Sequence, residues 1–117
     1  MKVLLVDDEE KFVSALAERL SIRGIEADWS TTCDDALSKV DKKKYDVAVL
    51  DVKMPCMSGI ELKRNLEKID RNLKFILVTG HGSEESYQMG VKEVPFFLTK
   101  PFKIEILIGK IKQALDA

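Results

Sequence analysis

No stretch of this chain approaches the ~20 consecutive apolar residues needed to cross a bilayer, and Met1-Lys2 with four apolar residues behind it is too short for a secretory leader. A basic surplus is also missing. Nineteen Lys and Arg stand against 20 Asp and Glu, a formal net charge of -1, which argues against direct nucleic-acid binding as the main business of the fold. The one basic run, Lys42-Lys43-Lys44, reads as the solvated end of a helix. Cysteine is down to Cys33 and Cys56, which are unpatterned and suit a reducing compartment. Cys56 follows Pro55, and with no basic neighbour to lower its pKa it is not read as a redox sensor. The only histidine, His81, reads as a solvated loop residue or a mild tuner rather than a general base. No linker, repeat or low-complexity tract divides the 117 residues, a length that supports one domain with a real core. The expectation is a single soluble domain spanning 1–117, cytoplasmic, with no membrane or direct nucleic-acid partner.

What is present is organised around Tyr45-Asp46-Val47-Ala48-Val49-Leu50-Asp51, followed by Val52-Lys53-Met54-Pro55. A four-residue apolar run, too short for a helix, predicts a strand covered on both faces that delivers Asp51 at its end. Val3-Leu4-Leu5-Val6 repeats the design and ends in Asp7-Asp8-Glu9-Glu10. Phe75 to Val78 is a third buried run, ending in Thr79-Gly80-His81-Gly82, and Phe96 to Thr99 is a further strand, led in by Pro95 and stopped by Lys100-Pro101. Ile25 to Trp29 alternates apolar with acidic residues, the pattern of an edge strand.

Helical spacing fills the gaps. Phe12, Val13, Leu16, Ala17 and Leu20 mark a first helix closed by Gly24, and Thr32 with Asp35 caps a second carrying Cys33, Ala36, Leu37 and Val40. Ser58 with Glu61 starts a third that turns Leu62, Leu66 and Ile69 inward. Ser83, Glu84 and Glu85 open a fourth, in which Gly90 costs about 1 kcal/mol relative to alanine. Ile104, Leu107, Ile108, Ile111 and Leu115 mark the last, with Ile106 off its core stripe. Five alternations of strand and helix predict an α/β fold, a doubly wound five-stranded parallel sheet in the order 2-1-3-4-5. That order sets the first and third strands side by side, with their acids at the crevice where such folds bind ligands.

Asp7, Asp8, Asp51, Thr79 and Lys100 collect at this rim. Carboxylates ~4 Å apart repel by about 4 kcal/mol per pair at an effective dielectric of 20, so the cluster calls for a cation. One lysine offsets part of the charge. An all-oxygen site suits a hard divalent ion such as Mg2+ or Mn2+. A carboxylate so placed can attack phosphorus, because phosphoryl transfer asks a protein mainly for alignment and charge neutralisation. Asp51 is the expected nucleophile, with Lys100 neutralising phosphoryl oxygens and the Thr79 hydroxyl donating to one of them.

The motifs Val6-Asp7-Asp8-Glu9, Asp51 with Met54-Pro55 and Gly59, Thr79-Gly80, Phe97, and Lys100-Pro101-Phe102 follow one another in order along essentially the whole chain. In this the sequence resembles the receiver domain of two-component response regulators, the group that includes the chemotaxis receiver, with its flavodoxin-like fold. The resemblance implies that Asp51 accepts a phosphoryl group from a histidine kinase or phosphotransfer protein. It implies a metal held by Asp8, Asp51 and the Lys53 backbone carbonyl, with Asp7 acting mainly through a water. It makes Thr79 and Phe97 a switch pair, sets Lys100 on the phosphoryl group, and makes the Lys100-Pro101 peptide cis, against a base rate of about 5%. Lys53 and His81 would flank the site at two variable positions that tune the phosphorylated state's lifetime. The implied output is the face made by the fourth helix, fifth strand and last helix, meeting an output domain, a partner protein or, on phosphorylation, a second copy.

Two positions depart from the family pattern. Glu93-Val94-Pro95 stands where a Gly-Ala pair often precedes the fifth strand, and Phe97 stands where many members carry tyrosine. A switch of this kind has at most self-phosphorylation and self-dephosphorylation activity. The alternatives are a small metal-dependent phosphohydrolase working through an aspartyl-phosphate, and a receiver-like interaction module that is never phosphorylated. Against the first, such enzymes separate their two acids by one residue and carry a cap insertion, whereas Asp7 and Asp8 are adjacent here and no insertion is long enough.

Overall fold

A computed structural model describes residues 1–80, 94 and 96–117. The predicted fourth helix, with Ser83, Glu84, Glu85 and Gly90, lies outside the described residues, as do His81, Glu93 and Pro95. The described elements run β1 (Lys2–Val6), α1 (Glu10–Ile22), β2 (Glu26–Ser30), α2 (Cys33–Lys42), β3 (Val47–Asp51), α3 (Gly59–Ile69), β4 (Lys74–Thr79), β5 (Phe97–Thr99) and α4 (Ile104–Asp116). Among the described residues the strand pairings are all parallel, in the predicted order β2-β1-β3-β4-β5.

Two-residue periodicity splits each buried strand between two cores. Leu4, Val6, Ala48, Leu50, Phe75 and Leu77 face Ala36 and Val40 of α2 and Leu62 and Leu66 of α3. Val3, Leu5, Val47, Val49, Ile76 and Val78 face α1 and α4 on the other side. Both faces of the sheet are covered, which is why these strands read as unbroken apolar runs rather than alternating ones.

The helix ends follow the chemistry read from the sequence. Thr32 Oγ1 accepts the Asp35 amide at 3.1 Å, and Ser58 Oγ accepts the Glu61 amide at 3.1 Å. Gly24 takes a φ of +83°, the left-handed conformation that ends α1. Two apolar placements come out differently. Ile69 is 41% exposed, because as the last residue of α3 it lies where the stripe runs off the packed layer. In α4 the buried stripe is Ile104, Leu107, Ile111 and Ala114, so the helix is rotated toward Leu107 and leaves Leu115 exposed. Ile106 is exposed, as its position off the stripe predicts.

The edge strand β2 is tied down by a polar cluster. The Tyr45 hydroxyl donates to Asp28 Oδ2 at 2.6 Å, and Lys43 Nζ donates to the same oxygen at 3.0 Å. Lys43 is thus anchored rather than simply solvated. The Tyr45 hydrogen bond, helped by Lys43 and opposed by partial burial, holds the Asp28 carboxyl below its usual range. Burial and the Asp28 bond push the Tyr45 phenol up. A carboxyl whose folded pKa is depressed contributes stability above its unfolded value, about 3.9, and loses it as pH falls through the folded value. Tyr45→Phe is therefore expected to lower stability by about 1 kcal/mol at neutral pH. Urea denaturation should show that gap narrowing below about pH 4, and a gap unchanged at acid pH would mean that packing alone is lost.

Candidate functional site

The site lies at the C-terminal rim between β1 and β3. Val6 is in register with Leu50 and Asp51 with Val78, so Asp7 and Asp51 leave adjacent strands at the same level. Asp7 is pinned by its own amide, which donates to the Ser30 carbonyl at 3.1 Å, and by Oδ1, which accepts the Glu9 amide at 2.9 Å. Asp51 Oδ1 accepts the Lys53 amide at 3.1 Å, fixing the carboxylate against the turn that follows β3. That turn is closed by a bridge between Lys53 and Ser58 and by the Gly59 amide donating to the Val52 carbonyl at 2.9 Å.

Carboxylate oxygens of Asp7, Asp8 and Asp51 all lie within 4.8 Å of one another. Asp7 and Asp51 are 4% and 8% exposed, whereas Asp8 faces solvent. Lys100 reaches in from beyond β5, its amide donating to the Thr79 carbonyl at 2.8 Å and its peptide to Pro101 cis as expected. Its ammonium donates to Asp7 Oδ2 at 2.7 Å and lies 3.8 Å from Asp51 Oδ2. Lysine therefore bonds first to Asp7, and its approach to Asp51 is longer than hydrogen-bond distance. Burial pushes the Asp51 carboxyl up from its usual range, and Asp7 and Asp8 add to this while the Lys53 amide and Lys100 oppose it. Burial works against the Lys100 ammonium, but its bond to Asp7 and the charges of Asp7, Asp51 and Glu9 outweigh it and raise its pKa.

Thr79 is the buried last residue of β4, beside the end of β3. Phe97 opens β5, in register with Leu77, and packs half-buried against the core on the α2 and α3 side. Strand alternation sets Thr79 on that same side, since Leu77 two residues earlier belongs to it. Two participants were missed from the sequence. Glu9 Oε1 lies 3.4 Å from Lys100 Nζ, and the Phe12 ring centroid lies 4.7 Å from the same nitrogen. Phe12 also meets Phe102 edge-on at 6.1 Å. Glu9 stands in the acidic run, whereas the spacing of Phe12 marks it only as helix core.

The cysteines correct the sequence reading. Cys33 and Cys56 are joined in a disulfide between the start of α2 and the turn after β3, with Cα atoms 6.2 Å apart. Pairing depends on how close the fold brings two positions, which their separation of 23 residues does not reveal.

An oxygen-only donor set of three converging carboxylates fits a hard divalent cation, and no softer ligand is present in the cluster. The sequence matches the family model described as response regulator receiver domain over residues 3–112. The chain belongs to this family. Among relatives of the receiver, the transcriptional regulatory protein FixJ of Rhizobium meliloti is 34% identical over 118 residues, covering 97% of this chain and 56% of FixJ. A receiver domain protein of Methanospirillum hungatei JF-1, described as CheY-like, superposes with a TM-score of 0.89 at 29% identity, covering 98% of this chain and 93% of that one. The response regulator TrrA of Thermotoga maritima, solved in complex with Mg(2+)-BeF, does so with a TM-score of 0.83 at 31% identity, covering 97% and 98%. The receiver spans about half the length or less of several curated relatives that it matches. No helix among the described residues is long and apolar enough to cross a membrane.

Proposed function

We propose that Asp51 is the phosphoacceptor of a cytoplasmic signalling switch and takes its phosphoryl group from a histidine kinase or phosphotransfer protein. The supporting observation is the meeting of Asp7, Asp8 and Asp51 within 4.8 Å, with the Lys100 ammonium 2.7 Å from Asp7 and 3.8 Å from Asp51. Asp8, Asp51 and the Lys53 carbonyl would hold Mg2+ or Mn2+, with Asp7 supporting it through a water. When bound, such an ion neutralises charge on the phosphoryl oxygens.

The chain's own groups account for the rest. An Asp51 oxygen forms a bond to phosphorus as the bond from phosphorus to the donor imidazole nitrogen breaks, and the electron pair leaves with the imidazole. The Lys53 amide holds the carboxylate in a fixed plane, so less of the reaction's alignment has to be found by chance. Lys100 supplies positive charge to one phosphoryl oxygen and the Thr79 hydroxyl donates to another. Phe97, on the same side of the sheet, is the aromatic partner of the switch. Its response carries the signal to the face of β5 and α4, where a partner protein, an output domain or a second copy would dock. At most, the domain phosphorylates and dephosphorylates itself.

Addition of Mg2+ with beryllofluoride should move the NMR resonances of Thr79 and Phe97, and an unchanged spectrum would overturn the assignment. The phosphohydrolase reading is not favoured. Repeated release of phosphate from p-nitrophenyl phosphate would restore it.

A further inference from the structure

The disulfide is asymmetric in a way that bears on its chemistry. Cys33, the first residue of α2, is 1% exposed, whereas Cys56 is exposed in the turn that follows β3. The 23-residue separation between them contains β3, Asp51 and Lys53. We propose that Cys33–Cys56 is a reversible thiol–disulfide site, opened by small thiols of the glutathione type, that in its oxidised form latches the turn beside Asp51 onto α2. The link to phosphoryl transfer rests on the assignment of Asp51 as acceptor; the redox chemistry does not.

Accessibility sets the direction of attack. An incoming thiolate reaches the exposed Cys56 sulfur and forms a mixed disulfide with it. The sulfur–sulfur bond to Cys33 breaks, and its electron pair leaves on Cys33, which then takes up a proton. Burial opposes a Cys33 thiolate, while its place as the first residue of α2, at the positive end of the helix, favours one. The acids of that turn weaken this effect only in part, since Asp35 is paired with Lys39 at 2.9 Å. A second small thiol attacks the mixed disulfide and departs as the oxidised dimer, leaving Cys56 reduced. Two thiols are oxidised to one disulfide as the protein gains two electrons. In a cytoplasmic protein, a disulfide is more often transient and redox-sensing than structural.

Position makes the opening matter. Without the disulfide, the turn is held by the Lys53–Ser58 bridge, the Gly59 amide on the Val52 carbonyl and the Lys53 amide on Asp51. The covalent link adds an anchor at its tip. Reduction releases that tip, so more of the turn's order has to be supplied when a ligand binds.

The test equilibrates the intact protein across glutathione redox ratios and counts free thiols by alkylation and mass. Amide exchange at residues 52–58 and Mg2+ binding by calorimetry are followed in the same samples. The expected result is opening within the range of ratios, with exchange at 52–58 about tenfold faster and Mg2+ affinity about threefold weaker in the reduced protein. Cys56→Ser should show the reduced behaviour in every buffer. Two free thiols at all ratios, a bond that survives at all ratios, or exchange that is the same in both forms would each overturn the proposal. If neither form binds Mg2+, the acceptor assignment and the coupling fall together, while thiol counts and amide exchange still decide whether the site is a reversible latch.

Discussion

Asp51→Asn is expected to abolish phosphoryl uptake from acetyl phosphate or a phosphorylated donor while leaving the fold intact. The amide matches the carboxylate in shape and can still accept the Lys53 N–H, which now donates to Asp51 Oδ1 at 3.1 Å. It has no anionic oxygen to attack phosphorus. The rate should fall by a factor on the order of 10^3 or more, read as loss of the mass gain of one phosphoryl group. Stability should move the other way in the absence of metal. Burial and the charges of Asp7 and Asp8 raise the Asp51 pKa above its unfolded value, so at neutral pH its ionised form works against folding. That penalty disappears as pH falls through the raised folded value, and Asn removes it at every pH. A higher urea midpoint for the variant at neutral pH, with the difference shrinking in acid, is the expected pattern. Full phosphorylation of the variant would move the acceptor to Asp7 or Asp8.

Gly59→Ala is expected to cost about 3 kcal/mol in stability and to disrupt the acidic site with it. A Cβ on Gly59 would sit 2.7 Å from the Asp51 carbonyl oxygen and 2.9 Å from Val52 Cα. Both are backbone atoms of the segment that presents Asp51, so neither can rotate aside. Alanine is intrinsically the better helix former by about 1 kcal/mol, but that gain is smaller than the clash. Gly109 supplies the control. It lies inside α4 with nothing within 4 Å of the place a methyl group would take, so Gly109→Ala should keep the propensity gain and raise stability by up to about 1 kcal/mol. Chemical denaturation of the two variants should therefore give shifts of opposite sign. A neutral Gly59→Ala would show that the start of α3 can back away from β3.

The sheet was legible in the sequence because burial on both faces leaves three short apolar runs, in β1, β3 and β4, that no other element explains. Topology followed from the alternation of strands and helices, and convergence of Asp7, Asp8 and Asp51 followed from topology. Less legible were features set by distances that sequence spacing does not encode. The phase of α4 is one, since Ile104, Leu107 and Ile111 fit a stripe ending at either Ala114 or Leu115. Burial against the sheet chose Ala114. The Cys33–Cys56 bond is another, formed because α2 starts beside the turn that leaves β3. A third is the bond from Lys100 to Asp7, which needed the end of β5 to be located relative to β1 across two intervening strands.

Lys100 comes to any reaction already engaged, with Asp7, Glu9 and the face of Phe12 all drawing on one ammonium. Whatever it gives to an incoming phosphoryl group is an exchange: the new contact replaces old ones, and only the difference between them can favour the product. Shortening this side chain would accordingly weaken the resting protein as well as the working one, by leaving the Asp7 carboxylate without its nearest counter-charge.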